Sequence, residues 1–579
     1  MKHLSNYYCD AAPDWQDSQV IESIKQAVVS CAEFVSRDEP VEMIQTHIST
    51  VFLTASYVFK FKRPLNMGFT DYRTLRQRRH YCREELRLNR RLANGVYLNV
   101  VPLWVTGETY SFEEGKQIVD YAVVMRRLGR EQMMDFRVTR GLFTSAELDT
   151  VAKKLARFHS SGRAVAARAK TRKGPPKPGA SIELLARNWE ENFQQVEPYT
   201  NITIAEQDFE ALERSVYGFM MRNRRIFEQR ETDGFIVDGH GDLRCEHIFL
   251  GEKIKIIDCI EFNERFRIGD TASDLSFLLM DLAALGHPEL SGQLLSRYVN
   301  YSGDTTLSAL VPFYACYRAF VRGKVLSMKL SDSHLKTDEQ QELLSRAKLY
   351  FRLSMDFSRH MAPPTVLIMA GLMGTGKSDL AQALARRTGA TWFSSDVVRK
   401  ELAALEFRGR RKADGKQAEF GGGIYSHDWN QRTYSEMFRR AEQELAANNA
   451  VILDASFSGR AMRNRAFELA AIHGAEAYLL ECWLPYSEIL GRLAERAREG
   501  NSISDGRAEL LPHQIQRFEQ ILEAPSDRHL MVRTDRPVEK LVDEVLATPG
   551  LRIEPPLFAP KRHHTASRRR TPAPKASHA

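Results

Sequence analysis

"TVLIMAGLMGTGKSDLAQALARRTG", residues 365–389, is the stretch whose reading decides the fold of half this chain. An unbroken apolar run, a glycine-rich turn and then apolar residues at helical spacing describe a strand, a loop and a helix. Inside it, Gly371 to Ser378 fits G-x-x-x-x-G-K-[ST] at every fixed position. A strand before and a helix after are the context that gives this pattern meaning. Gly371, Gly374 and Gly376 let backbone N–H groups turn inward and cradle phosphates at a helix N-terminus. The loop Gly371, Leu372, Met373, Gly374, Thr375, Gly376, Lys377, Ser378, with Asp379 behind it, is therefore the expected nucleotide contact. Lys377 reaches for the β- and γ-phosphates, and the Ser378 hydroxyl is a magnesium ligand.

Outward from this loop, strand and helix patterns keep alternating. "AVILDASF" precedes "GRAMRNRAFELAAIHG", and "EAYLLECWL" precedes "YSEILGRLAERAREG". Such βα alternation predicts a parallel sheet flanked by helices. In "FSSDVVRKEL", Asp396 at the end of the second strand can take the proton of an acceptor hydroxyl. Arg399, one helical turn on, can hold an anionic group of that acceptor. The plainer alternative is Asp396 as a helix cap with Arg399 on a solvated face. Asp454 ends the apolar strand "AVILD", where a carboxylate acts on magnesium-bound water or on the acceptor, or is purely structural. Arg492, Arg496 and Arg498 stand on a helix that breaks into a Gly-Asn-Ser loop, so they can close over phosphates as a lid.

With these residues in view, residues 362–550 resemble the small-molecule and polynucleotide-type P-loop kinases. The resemblance rests on "GLMGTGKS", "SSDVVRKEL", "GIYSHDWNQRTYSEMF", "VILDASF" and "RAREGNSISDGRAEL". It implies that Asp396 activates the acceptor hydroxyl and Arg399 binds its phosphate or carboxylate. The segment "EFRGRRKADGKQAEFGGGIYSHDW" is expected over the acceptor pocket.

A boundary precedes all of this. The charged helical pattern "TDEQQELLSRAKLYFRLSMDFSRH" runs into Pro363-Pro364, and proline both stops a helix and extends the residue before it. The organisation expected is a lead-in over 1–39, one domain over 40–355, a second over 362–550 and a basic disordered tail over 556–579. At 579 residues, more than one core is the prior.

The domain before the boundary starts strand-rich and turns helical, which suits a two-lobed α+β fold. Its chemistry centres on "HGDLRCEHIFL", residues 240–250, and "IIDCIEF", which ends an apolar strand at Asp258. Two carboxylates, Asp242 and Asp258, at the ends of paired strands make an acid-and-metal pair: one orients a hydroxyl, the other binds magnesium. Two capping aspartates in turns is the plainer reading.

Residues 40–355 resemble the aminoglycoside phosphotransferase group of the kinase-like fold. "YVFKF" is similar to the strand whose lysine pairs with nucleotide phosphates, which makes Lys60 the candidate, with Lys62 on the same strand face by its period of two. "CREELRLNRRL" supplies Glu84 or Glu85 as partner, and "VDYAVVMRRL" looks like the hinge beside the adenine. Asp242 then matches the base, Asp258 the metal ligand, and Asp274 a loop-holding residue. One letter departs from the pattern: His247 stands where an asparagine metal ligand is expected. An imidazole binds metals, though magnesium prefers oxygen, and His247 can instead bond Asp242 or substrate.

The two halves in this order resemble a bacterial two-domain family, commonly described as bifunctional phosphotransferase and ATP-binding proteins. The resemblance implies an α+β kinase-like domain followed by an α/β P-loop domain, with ATP and Mg2+ as cofactors. A kinase acting on the hydroxyl of a small molecule is the expectation, with the second half the more certain catalyst and the first half active or degenerate. Its rivals are an ATP-hydrolysing switch and a polynucleotide end kinase.

Composition narrows the classes. Hydrophobic content of 43% beside 27% charged residues reads as globular. No run reaches the roughly 20 uncharged apolar residues of a membrane helix, and the N-terminus lacks a signal-peptide pattern. Seven scattered cysteines without CxxC spacing fit reduced thiols in a cytoplasm and argue against zinc. The net charge of +8 collects partly in the tail, so nucleic acid is an open but unfavoured partner. Oligomeric state leaves no signal.

Overall fold

The computed structural model describes residues 12–31, 40–68, 70–170, 181–331, 335–406, 426–499, 508–555 and 557–558. For 163–170, 405–406, 496–497 and 499 it describes the backbone alone. The basic loop within 168–180, most of the segment expected over the acceptor pocket, and the loop 500–507 fall wholly or largely outside the described residues.

Six strands open the first unit: β1 (Glu42–Gln45), β2 (Ser49–Leu53), β3 (Tyr57–Lys62), β4 (Tyr97–Thr106), β5 (Thr109–Ser111) and β6 (Gln117–Arg126). They form an antiparallel sheet in the order β1-β2-β3-β6-β4-β5. The alternation in "YVFKFK" decides what each face of β3 does, because successive side chains point to opposite faces. Phe59 and Phe61 go into an aromatic core with Trp15 and Phe52, the Trp15 and Phe61 rings 5.2 Å apart. Lys60 and Lys62 go to the other face, toward the helix Leu75–Asn89. That helix starts at a capping box, Thr74 with Gln77, which satisfies two of its otherwise unpaired N–H groups.

Below the sheet the chain is mostly helical, around a core that includes Trp189, Phe193, Phe313 and Phe320. Four short strands frame the loops there: β7 (Ile236–Asp238), β8 (Ile248–Phe249), β9 (Lys255–Ile256) and β10 (Ile268–Asp270). Sequence reasoning expected Asp242 and Asp258 at the ends of paired strands. Instead β7 pairs with β10 and β8 with β9. Tertiary anchoring of two loops, described below, brings the carboxylates together.

The second unit holds β11 (Thr365–Ala370), β12 (Thr391–Ser394), β13 (Val451–Asp454), β14 (Glu476–Trp483) and β15 (His529–Arg533). They form a parallel sheet in the order β12-β13-β11-β14-β15. Every residue of β11 is buried, as a central strand covered on both faces requires. Register aligns Met369 and Ser394 with Asp454, so the three loops that follow these strands open at one carboxyl edge. Open α/β sheets bind ligands at that edge.

The helix Thr337–Arg359 ends before Pro363, and β11 begins two residues after it. The Asn448 side-chain amide donates to the His360 carbonyl at 2.5 Å. Phe558, which the sequence reading assigned to the tail, packs on Phe357 of that helix with ring centroids 5.9 Å apart. Leu557 packs beside it on the same core, and the rest of the tail lies outside the described residues. No helix among the described residues is long and apolar enough to cross a membrane.

Candidate active sites

In the second unit the glycine-rich loop joins β11 to the helix Lys377–Thr388. Gly371 has φ +137°, and a Cβ there would lie 2.3 Å from the Cys482 carbonyl oxygen, so only glycine fits. Neighbouring side chains brace the loop. The Met373 N–H donates to Gln514 Oε1 at 2.7 Å, and the Thr534 hydroxyl donates to the Thr375 carbonyl. Arg492 Nη2 in turn donates to the Thr534 carbonyl at 2.6 Å. Lys377 Nζ rests on the Leu372 carbonyl at 3.3 Å, a long bond from which it can swing to a phosphate.

Ser378 Oγ donates to Asp454 Oδ1 at 3.2 Å, and Trp392 Nε1 donates to Asp454 Oδ2 at 3.2 Å. Burial pushes the Asp454 carboxyl up, against the pull of Lys377. A hydroxyl and a carboxylate this close, both oxygen donors, fit a magnesium ion.

Asp396 falls in the first turn of the helix Ser395–Glu406, two residues beyond β12 rather than at its last position. Arg399 does not lie on a solvated face. It is 6% exposed and donates from Nη1 to Asp396 Oδ1 and from Nη2 to Asn430 Oδ1, both at 2.9 Å. Asn430, on the helix His427–Ala446, is a site residue that sequence reasoning missed. Its segment was noted only as part of a resemblance. Of the lid arginines, Arg492 braces the loop and Arg498 is exposed, while the Arg496 side chain lies outside the described residues.

In the first unit the lysine question has a geometric answer. Lys60 Nζ lies 2.7 Å from Asp258 Oδ1 and 2.9 Å from Glu85 Oε1, at the mouth of the cleft. Burial works against its ammonium, but Asp258 and Glu85 outweigh it and hold its pKa well above the ordinary lysine value. Lys62 is fully buried between Glu85 and Glu261, and the Tyr72 hydroxyl donates to Glu261 Oε1 at 3.0 Å. Glu85 is thus the partner of both lysines, while Glu84 pairs with Arg87 at the surface. Glu261, three residues past Asp258, went unread although it stands in the same "IIDCIEF".

Asp274 holds the other wall. Its carboxylate accepts the N–H groups of His240 at 2.7 Å and Gly241 at 2.8 Å, with His159 Nε2 3.2 Å away. Gly241, at φ +85°, presses close enough to the Phe266 carbonyl to exclude a Cβ, and its carbonyl accepts from Arg318 Nη1 at 3.0 Å. The next residue is Asp242. Arg244 clamps it with Nε to Oδ1 at 3.0 Å and Nη2 to Oδ2 at 3.3 Å. Burial raises its carboxyl, but Arg244, His247 and Arg322 more than reverse that and hold it below the usual carboxylate range. Asp258 has φ +63°, a conformation rare for a non-glycine residue, and its N–H donates to the Tyr97 hydroxyl at 3.2 Å. Asp242, His247 and Asp258 offer ligand atoms within 4.8 Å of one another. This donor set fits a divalent cation.

Both units therefore carry the parts of phosphoryl-transfer sites on the folds such sites use. The sequence profile of the Phosphotransferase enzyme family matches residues 48–310, and that of an AAA domain matches residues 366–521. The chain joins an aminoglycoside-phosphotransferase-like unit to a P-loop kinase-like unit. It belongs to the family of Uncharacterized protein Rv2004c of Mycobacterium tuberculosis, with which it is 32% identical over 484 residues, 83% of this chain and 91% of that protein. Among solved structures it is similar to an amicoumacin kinase in complex with AMP-PNP and Ca2+ (13% identity, 58% of this chain and 93% of that one, TM-score 0.36). Another is a gluconokinase from Sinorhizobium meliloti (19% identity, 32% of this chain and 91% of that one, TM-score 0.23).

Proposed function

We propose that the protein is a kinase that transfers the γ-phosphoryl group of ATP to a hydroxyl of a small molecule, with the second unit as catalyst. The reading rests on one observation above others: the Asp396–Arg399–Asn430 cluster follows β12 at the same sheet edge as the glycine-rich loop and the Ser378–Asp454 pair. Bound MgATP supplies the transferable phosphoryl group and the cation that screens its charge. The loop amides hold the phosphates, and Lys377 follows the charge that develops on them. Ser378 and Asp454 are the residues that would hold the metal. Asp396 takes the proton from the acceptor oxygen as that oxygen bonds to the γ-phosphorus and the bridging oxygen leaves with ADP. Arg399 fixes the Asp396 carboxylate and meets an anionic group of the acceptor, and Arg496 is assigned to the lid.

In the first unit, Lys60 with Glu85 is assigned to nucleotide phosphates, Asp258 and His247 to the metal, and Asp242 to the acceptor hydroxyl. Arg244 occupies both carboxylate oxygens of Asp242, whereas Arg399 meets Asp396 at Oδ1, and the bidentate clamp favours a nucleotide-holding role over turnover in the first unit.

The test is ATP consumption by the full chain across a panel of hydroxyl metabolites and oligonucleotide 5′ ends. Consumption that depends on a small acceptor and falls by about 10³-fold in Lys377→Ala is the expected outcome. Hydrolysis indifferent to every acceptor would replace the kinase with an ATP-driven switch, and transfer to oligonucleotides alone would make it an end kinase.

A further inference from the structure

The proposed function assigns the imidazole at position 247 to a metal without saying which metal suits it. It is 8% exposed, and both ring nitrogens have defined surroundings. Nδ1 lies 2.8 Å from the backbone carbonyl oxygen of Asp242. A carbonyl can only accept, so Nδ1 carries the hydrogen, and in the neutral ring Nε2 keeps its lone pair. That lone pair lies 3.6 Å from Asp258 Oδ2. Two donors each about 2.1 Å from a shared ion stand roughly this far apart, so the pair can be bridged with little movement. An imidazole tethered through one nitrogen to a backbone carbonyl, with the other turned toward a carboxylate, is the arrangement that orients metal-binding histidines. Arg244 Nη2 occupies the same lone pair at 3.3 Å, a long bond that a cation can displace.

The identity of the cation follows from the donor atoms. Magnesium is hard, takes oxygen ligands and sheds water reluctantly, whereas first-row transition ions accept imidazole nitrogen and carboxylate oxygen together. We infer that the first unit's site binds a divalent first-row transition-metal ion in preference to Mg2+, through His247 Nε2 and the Asp258 carboxylate, with Mn2+ as the ion that reports it spectroscopically. The inference deepens the reading of this unit as a nucleotide-phosphate site and rests on it. It also divides the chain by metal, since the Ser378–Asp454 pair of the second unit offers oxygen alone.

The experiment uses the full chain carrying Lys377→Ala, which weakens phosphate binding in the second unit. Mn2+ is titrated with and without ATP, and binding is read from the loss of the free-ion electron spin resonance signal. Electron spin echo then shows whether imidazole nitrogen modulates the bound ion. The inference predicts nitrogen modulation and displacement by Mg2+ only at more than about tenfold excess. His247→Asn should abolish the modulation and narrow the Mn2+ preference, with an unchanged unfolding midpoint showing that the fold is intact. Bound Mn2+ without nitrogen modulation would overturn the inference without the help of any variant, as would Mg2+ competing on equal terms. Failure of the unit to bind either ion or ATP under any condition would instead remove the nucleotide reading beneath it.

Discussion

The two units hold phosphate-binding groups by opposite means. In the second, the cradle is backbone: a loop whose glycines adopt left-handed conformations and whose amides gather at one helix N-terminus. In the first, it is side chains: Lys60, Glu85, Lys62 and Glu261 form a chain of alternating charge from the cleft into the core. A backbone cradle needs glycine, lysine and serine at fixed spacings and tolerates little else. A side-chain cradle can change one letter at a time, and position 247, where the resemblance implies an asparagine, carries a histidine. The difference predicts where substitutions will be felt.

The largest effect that would sharpen this contrast lies at Lys62. Lys62→Met leaves Glu261 buried without its lysine and Glu85 with Lys60 alone, which costs about 3–5 kcal/mol of stability. Lys60→Met, on the same strand face but at the cleft, should cost less stability while weakening ATP binding by the first unit. Urea unfolding and nucleotide titration of the two variants separate these roles. Equal loss of stability would show that Lys60 too is chiefly structural.

A middle-sized effect is expected at Arg399. Its bonds to Asp396 and Asn430 are charge-assisted or buried. Arg399→Ala should lower kcat/KM for the acceptor by the equivalent of about 2 kcal/mol, with the KM for ATP unchanged. If the KM for ATP rises instead, Arg399 serves the nucleotide and the acceptor lies elsewhere. The smallest effect is a control beside Glu85. Glu84 and Arg87 form a surface pair, and Glu84→Ala should shift stability by no more than about 0.5 kcal/mol. A larger loss would mean that the helix Leu75–Asn89 depends on its outer face.

What was legible in the sequence follows the same division. The parallel sheet and the glycine-rich loop could be read because strand, turn and helix chemistry are local. The strand face of Lys60 and Lys62 was also legible, from period two alone. Which lysine faces the cleft was not, because that depends on how the helix Leu75–Asn89 packs and on Glu261, two hundred residues downstream in the chain. The placing of Asp242 beside Asp258 was anticipated, but by the wrong route. Paired strands were expected, whereas Asp274 pins one loop and the other carries Asp258 in a left-handed conformation beside Tyr97. Asn430 and Arg244 were missed because a single polar residue on a helix or in a loop announces nothing until its partner is known.

The central claim is that the chemistry belongs to the second unit, with Asp396 as the base. The most direct measurement is acceptor-dependent transfer by two full-length variants, Asp396→Asn and Asp242→Asn, each preserving shape while removing a carboxylate. Asp396→Asn should lower kcat by about 10³-fold, with ATP binding retained, and Asp242→Asn should leave transfer close to the unmodified rate. Transfer that survives Asp396→Asn and disappears in Asp242→Asn would contradict that claim and move the reaction to the first unit.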